Sequence, residues 1–441
     1  MTHQRPKLMN LFIPIFLELL FTMLTGVVDT LMLSSVGDQA VGAVGTVNSY
    51  ISLFVILFSV ISSGMMAVMT QYIGAKKPAV AQQAMRLGLL FNLSIGIVIS
   101  MLLFLLAGPI LQTLGIAQDL LVPGRTYLQT VALFCICNAL TPIFSSYLRA
   151  FGHTSSTLTG NIIANVANVA LNALFLFVME WGVFGVALAT GISRLMNLCW
   201  VWYASKQKIK LIQEATNLEN REIMRKIIRV GLPAAMETSL YHLAMTIVIS
   251  LLNQMDTTGM QVTARAYASQ ITNFSYCAGA GLAQANAILV GWRIGACELE
   301  QCDRETRKNA LIGIAVGVGT ASLFAIFSQQ IMTLFSDDPQ MVKLVGILLI
   351  VDIFLEIGRV SNLVYGYALK TSGDATYPML VAVTFAFLCA AGGTWLFGVK
   401  LGWLAVGAYI AMALDECVRA VFMCHRWRSG IWKTKNLVQA K

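Results

Sequence analysis

Twelve long apolar runs constrain this 441-residue chain more than any other feature of its sequence. Each run is close to the roughly 20 residues that a helix needs to cross a hydrocarbon core of about 30 Å. The runs are too long for the strands of a membrane barrel, and they lack the two-residue alternation of such strands. The pattern predicts an all-α polytopic membrane protein. The predicted spans are 11–33, 44–72, 87–106, 126–147, 158–178, 183–203, 230–252, 262–290, 310–327, 341–367, 379–396 and 404–423.

Basic residues are concentrated on one side of the predicted membrane. Of the 30 Lys and Arg, 23 lie at the termini or in even-numbered loops, whereas the odd-numbered loops contain only Arg125, Lys343 and Lys400. Since cytoplasmic loops carry an excess of basic residues, both termini are predicted to lie in the cytoplasm. The spans are predicted to cross a bacterial inner membrane. The net charge of +9 is therefore a topology signal, and we expect no nucleic-acid partner.

The two halves of the chain repeat. Pro14 and Glu18 are matched by Pro233 and Glu237, residues 73–75 by 294–296, Arg149 and Gly152 by Lys370 and Gly373, and Gly185 by Gly407. These landmarks keep their order at offsets of 219 to 222 residues. The repeat predicts two six-helix lobes related by a pseudo-twofold axis along the membrane normal. We place the N-terminal lobe at residues 1–205, a cytoplasmic connecting segment at 206–229 and the C-terminal lobe at 230–441.

Polar residues at helical spacing line one face of two spans in the first half. In the first span Glu18, Thr22, Thr25 and Asp29 share a face, and in the fifth span Asn161, Asn165, Asn168 and Asn172 recur at every turn. A carboxylate in mid-membrane costs about 2.5–3.5 kcal/mol, which favours a functional role for Asp29. Asparagines also join membrane helices structurally. Amide oxygens beside a carboxylate are ligands for small cations, so a cation site at Asp29 is one interpretation.

The tenth span carries Asp352, Glu356 and Arg359 on one face. A structural salt bridge and a proton-sharing carboxylate pair are both compatible with this spacing, because two acids in a low dielectric repel each other. In the seventh span, Glu237 with His242 is a weaker candidate site near the cytoplasmic end.

Another charged group lies in the twelfth span, where Asp415, Glu416 and Arg419 are expected to pair with one another. No phosphate-binding loop, metal-ligand spacing or nucleophile site is recognisable, and the nine cysteines form no disulfide framework. We therefore expect neither an enzyme nor a cofactor or metal.

Four segments resemble the multidrug and toxic compound extrusion (MATE) family of the multidrug/oligosaccharidyl-lipid/polysaccharide flippase superfamily. They are Gly26-Val-Val-Asp-Thr-Leu-Met-Leu-Ser-Ser-Val-Gly37, Gln71-Tyr-Ile-Gly-Ala-Lys-Lys77, Leu148-Arg-Ala-Phe-Gly152 and Gly231-Leu-Pro233. The resemblance covers the whole chain and implies twelve helices in two lobes. It also implies a secondary active exporter of amphipathic, cationic compounds that works by alternating access and antiport with H⁺ or Na⁺.

The resemblance assigns roles to individual residues. It implies cation or proton coupling by Asp29, Asn168, Asn172 and Thr190 in the first half, and by Asp352 and Glu356 in the second. Family members often carry Asp where this chain has Asn172, so one carboxylate is missing and protonation becomes the more natural trigger. Further candidates for lining the substrate cavity are Glu18, Asn165, Glu237, His242 and Arg359.

Other functions compete with this interpretation. A lipid-linked precursor flippase of the same superfamily would use Arg194, Arg265 and Arg359 to hold phosphates, and a basic cavity would favour it. An integral-membrane enzyme or a channel fits the sequence less well. The expected partners are a small amphipathic molecule, H⁺ or Na⁺ and the lipid bilayer, with the protein acting as a monomer.

Overall fold

The computed structural model describes residues 6–35, 37–113, 118–212, 218–256, 258–333 and 335–438. The chain divides into two compact units, Met1–Gly231 and Leu232–Lys441. The helices that lie wholly in the first unit are α1 (Leu8–Ser34), α2 (Asp38–Gly74), α3 (Pro78–Leu105), α4 (Ala107–Thr113), α5 (Gln118–Leu133), α6 (Cys135–Ala150), α7 (Thr154–Ala173) with a π-helical continuation (Leu174–Val178), and α8 (Gly182–Lys208).

The second unit repeats this order of helices. Helix α9 (Asn220–Met255) begins before the boundary and continues into the second unit. It is followed by α10 (Met260–Gly295), α11 (Leu299–Ile326), α12 (Ser328–Met332), α13 (Pro339–Ser372), α14 (Thr376–Phe385) with π-helical continuations (Ala386–Ala391 and Thr394–Lys400), α15 (Leu404–Arg428) and a 3-10 turn (Ile431–Thr434).

Each of the twelve predicted spans coincides with a helix or a bent helix pair. Within the described ranges, eight helices are long and apolar enough to cross a bilayer: α1, α2, α3, α7, α8, α9, α11 and the extended α14. The bent pair α5–α6 makes a ninth span. Helices α10, α13 and α15 account for the other three; they contain 36, 34 and 25 residues and carry most of the charged residues that lie inside the spans. The prediction of an all-α polytopic membrane protein is confirmed.

One predicted span is not a single straight helix. The run at 126–147 is divided between α5 and α6, whose axes differ by 45°. The break falls at Phe134, whose ring packs directly against Gly191 of α8. A side chain at position 191 would occupy the space of this ring, so the bend depends on a tertiary contact that an apolar run does not reveal.

The backbone itself repeats at the offset found in the sequence. Positive φ angles occur at Gly152 (84°) and Gly373 (101°), each within two residues of the end of a helix whose last turn contains the matched basic residue. The next residue in each half donates a backbone hydrogen bond five residues back, from His153 to Leu148 at 2.8 Å and from Asp374 to Leu369 at 3.0 Å. Both turns are therefore Schellman-type helix ends in which glycine adopts the left-handed conformation without strain.

Helices α13 and α15 approach closely in the second unit. A Cβ atom built on Gly358 of α13 would lie 2.5 Å from the backbone nitrogen of Cys417 in α15. Glycine at this position therefore permits backbone contact between two helices that both carry buried charges. The consequence is a single charged layer, formed by residues next to Gly358 and Cys417.

Candidate functional site

A polar ladder joins α1 to α7 in the first unit. Thr157 donates to Oε2 of Glu18 at 2.8 Å, and the Asn161 amide donates to the hydroxyl of Thr22 at 3.0 Å. Asn165 continues the α7 side of the ladder by donating to Asn161 at 2.8 Å. The pairs Glu18–Thr157 and Thr22–Asn161 share an offset of 139 residues (157 − 18 = 161 − 22 = 139), because the two parallel helices keep one register.

Asp29 lies at the far end of this ladder. The Asn172 amide donates to Oδ1 of Asp29 at 2.9 Å. When the Asn168 amide is oriented with its nitrogen toward the carboxylate, it donates to the same oxygen at 2.6 Å. Asn168 is 3% exposed and Asn172 is fully buried. A half-buried carboxylate thus faces two amide donors, which stabilise its ionised form.

Further polar groups lie near this carboxylate. Tyr127 of α5 donates to Oδ1 of Asn48 at 3.1 Å, and the side chain of Thr190 lies close to Tyr127. Asp29 lies within electrostatic range of both Tyr127 and Arg194. Thr190 therefore lies beside Tyr127 in the same region, whereas Asn168 and Asn172 contact the carboxylate directly.

Glu18 forms an ion pair near the other end of the ladder. Its Oε1 lies 2.7 Å from the guanidinium of Arg149, at the end of α6. Both residues line a cavity of about 400 Å³ inside the first unit. The other residues that line this cavity are Val55, Ser62, Asn138, Thr141, Pro142, Ser145, Ser146, Arg194 and Asn197.

The same ion pair recurs in the second unit. Oε1 of Glu237 lies 3.0 Å from Nζ of Lys370, and these residues match Glu18 and Arg149 in the sequence repeat. Both line a cavity of about 540 Å³ that also contains His242. The acid and the base were each recognisable as repeated landmarks, but their pairing was not predicted. The recurrence of both charges at nearly constant offset was the signal that pointed to it.

Buried charges from α13 and α15 meet at the wall of this cavity. Arg359 pairs with Glu356 and lies 3.6 Å from Asp352, while Arg419 lies 2.7 Å from both Asp415 and Glu416. Asn362 of α13 also donates to Glu416 of α15 at 3.0 Å. All four carboxylate side chains are at most 6% exposed. Four acids against two guanidinium groups leave two negative charges that must be matched by protons or cations.

The expected pairing within Asp415, Glu416 and Arg419 is present, but these residues do not form a separate group. The close approach at Gly358 brings them to the tenth-span acids, and Arg419 also stacks on Tyr241 at 5.1 Å from the ring centroid. Sequence spacing within single helices could not reveal this contact between two helices.

The remaining candidate residues are distributed between the two cavities and the ladder. Glu18 lines the first cavity, and Glu237, His242 and Arg359 line the second. Asn165 belongs to the α1–α7 ladder and does not line either cavity.

Comparison with solved structures assigns the fold to a class of transporters. A MATE protein solved in the straight conformation superimposes with a TM-score of 0.89 over 97% of this chain and 96% of its own, at 17% sequence identity. The chain therefore has the MATE transporter fold.

Sequence comparison then gives the family. The MatE family profile matches residues 14–174 and 233–396, and the chain belongs to this family. A Bacillus subtilis protein described as the uncharacterized transporter YisQ is 30% identical over 437 residues, which cover 98% of this chain and 96% of the relative. The multidrug resistance protein PmpM of Pseudomonas aeruginosa is 23% identical over 417 residues, covering 90% and 83%. The resemblance found in the sequence is confirmed, and the protein is a multi-pass membrane transporter.

Proposed function

We propose that the protein is a secondary active exporter of amphipathic, cationic compounds, driven by antiport with H⁺ through alternating access. The observation that carries this proposal is the carboxylate of Asp29, which faces the amides of Asn168 and Asn172. The amide nitrogens are oriented toward the carboxylate, so they stabilise its negative charge by hydrogen bonding and do not present their oxygens to a metal ion there. Because residue 172 is Asn and not a second acid, binding of one proton to Asp29 is the simplest way to remove the negative charge of the site.

Protonation at Asp29 provides a physical coupling step. A coupling ion shifts a conformational equilibrium only if it binds one state more strongly than the other. Loss of the negative charge weakens the hydrogen bonds from the two amides and removes the attraction to Arg194. The packing of α1 against α7 therefore depends on the proton, and cargo affinity can change with it.

The coupling test uses purified protein in proteoliposomes. Gradients of pH and of Na⁺ are imposed separately, and transport of a fluorescent organic cation is followed. We expect a pH gradient to drive transport and Asp29→Asn to abolish it while leaving the protein folded. The matched control is Thr30→Val, because Thr30 is an exposed neighbour whose hydroxyl donates to the backbone of Gly26 in its own helix. Full gradient-driven transport by Asp29→Asn contradicts the proposal.

A lipid-linked precursor flippase is the second candidate. It would require Arg194, Arg265 and Arg359 as phosphate ligands, but Arg359 is paired with acids and Arg194 lies near Asp29. Arg265 alone supports this function, so a lipid-linked substrate is included in the same assay as a competing cargo.

We further propose that the protein lies in a bacterial inner membrane, acts as a monomer and has both termini in the cytoplasm. Single cysteines placed at exposed Asp337 and Arg304 of a cysteine-free variant test the orientation. Labelling of position 337 from outside and of position 304 only after permeabilisation is expected. The reverse pattern contradicts the topology.

A further inference from the structure

Arg265 of α10 differs from the other basic residues around the cavity of the second unit. Lys370 pairs with Glu237, Arg359 with Glu356, and Arg419 with Glu416. In the part of the chain that the structure describes, no carboxylate oxygen lies within 4.0 Å of Arg265, and its buried Nε has no hydrogen-bond partner. Arg265 thus enters the cavity with no carboxylate in direct contact.

An unpaired arginine inside a membrane span requires a physical reason. Arg265 lies five residues after the start of α10, so it does not carry the full cost of about 2.5–3.5 kcal/mol of a charge at the centre of a membrane helix, but its buried Nε still lacks a partner. Arg265 lies within electrostatic range of Tyr409, which cannot neutralise it while the phenol keeps its proton. An anionic group bound in the cavity would give Arg265 a direct ion-pair partner and accept hydrogen bonds from its free guanidinium N–H groups.

The rest of the lining indicates what else such a ligand contains. The cavity has a volume of about 540 Å³, which suits a small organic molecule. Aromatic and apolar residues occupy much of its wall: Tyr241, Met245, Tyr276, Leu363, Tyr367, Tyr409 and Met412. Tyrosine rings stack on flat apolar groups, and methionine adapts to bodies of different shape.

We propose that this cavity binds an amphipathic organic anion whose single carboxylate or phosphate group contacts Arg265 and whose aromatic or apolar body packs against the tyrosines. Its role as a cargo site depends on the proposed export function, because the site then extends the cargo range from cations to compounds with an anionic group. Binding itself requires no ion gradient. Failure of binding and failure of antiport are therefore separate results.

The test measures binding of two matched probes to the full-length protein in phosphatidylcholine nanodiscs. The monoanion 1-pyrenebutyrate and the neutral 1-pyrenebutanol have the same aromatic body, so their difference reports the anionic group. We expect Arg265→Gln to weaken 1-pyrenebutyrate binding about tenfold or more and to change 1-pyrenebutanol binding by less than about twofold. Arg265→Lys should retain most of the preference for the anion. The control Arg304→Gln alters an exposed arginine on α11 and should bind both probes like the wild type.

A second variant keeps Arg265 but gives it an ion-pair partner within the protein. Ser269 lines the cavity one helical turn after Arg265, so Ser269→Glu places a carboxylate at the i, i+4 position, where it can pair with the arginine. This variant should lose the preference for 1-pyrenebutyrate, whereas Ser269→Gln, of the same size, should keep it. Wild-type affinity for the anion in both Arg265→Gln and Ser269→Glu overturns the proposal. Equal loss of both probes in these variants also overturns it, because that result indicates a structural role.

The source of the anion is distinguished by lipid composition. If a lipid phosphate occupies the site, wild-type protein in phosphatidylglycerol nanodiscs should bind 1-pyrenebutyrate more weakly than in phosphatidylcholine, and Arg265→Gln should not show this difference. Equal binding in the two lipids by the wild type, together with the loss in Arg265→Gln, identifies a soluble anion.

Discussion

The Asn172 amide donates a hydrogen bond to Asp29 at 2.9 Å, across the interface between α7 and α1. Replacing this amide by a carboxylate of the same shape would put two acids in direct contact. Two close carboxylates in a low dielectric cannot both stay ionised unless a metal cation lies between them; otherwise one of them takes up a proton. The identity of residue 172 therefore sets how many cationic charges the site holds.

Asn172→Asp is expected to make transport depend on Na⁺. The second acid supplies carboxylate oxygens in place of an amide donor, and a small hard cation prefers such ligands. Transport measured at constant pH over a range of Na⁺ concentrations should rise with Na⁺ in this variant and remain flat in the wild type. The control is Asn161→Asp, which adds an acid to α7 beside Thr22 and away from Asp29. Na⁺-independent transport by Asn172→Asp would show that residue 172 does not set ion selectivity.

Asp352 and Glu356 are expected to share a proton that is released during the transport cycle. Asp352 is 1% exposed, its oxygens accept no hydrogen bond among the described residues, and its nearest cation, Arg359, pairs more closely with Glu356. Asp352→Asn should therefore flatten the pH dependence of transport without loss of expression. The control is Glu222→Gln, which removes the solvent-accessible acid of the Glu222–Lys226 pair on α9. Unchanged pH profiles in both Asp352→Asn and Glu356→Gln would remove these acids from the mechanism.

The repeated ion pairs are expected to stabilise each unit. Both pairs are mostly buried, so the attraction is screened less than at an exposed surface. A double-mutant cycle with Glu237→Gln and Lys370→Met should give a coupling free energy of about 0.5–3 kcal/mol in thermal unfolding. The cycle with Glu18→Gln and Arg149→Met should give a similar value. Additive effects in both cycles would mean that these contacts do not contribute to stability.

The fold was predictable because its strongest signal lies along single segments. Runs of about 20 apolar residues specify helices regardless of what packs against them. Even the span of α13 was recognisable, because apolar residues surround Asp352 in the sequence. The repeat was also predictable, since Arg149 and Lys370 keep their spacing from Glu18 and Glu237. The bend at Phe134 was missed because it follows from packing against Gly191, a residue from another helix.

The candidate site was predictable only within each helix. The spacing of one turn correctly placed Asn168 and Asn172 on one face, and the resemblance directed them to Asp29. Contacts between different helices follow no fixed sequence spacing. For this reason the sequence did not show that Tyr127 and Asn48 lie near Asp29, or that Glu416 lies beside the acids of α13.

Gly358 is expected to be essential for the charged layer between α13 and α15. A Cβ atom at this position would lie 2.5 Å from the backbone of Cys417, so Gly358→Ala must separate the two helices or distort one of them. Overpacking of this kind costs about 1–3 kcal/mol, and the separation should also weaken the contact between Asn362 and Glu416. Gly319→Ala on α11 is the matched control, because a Cβ atom there meets no other atom within 4 Å. Thermal unfolding in the same detergent should show a lower midpoint for Gly358→Ala and an equal or higher midpoint for Gly319→Ala. Equal midpoints for Gly358→Ala and the wild type would show that α13 and α15 do not need this close approach.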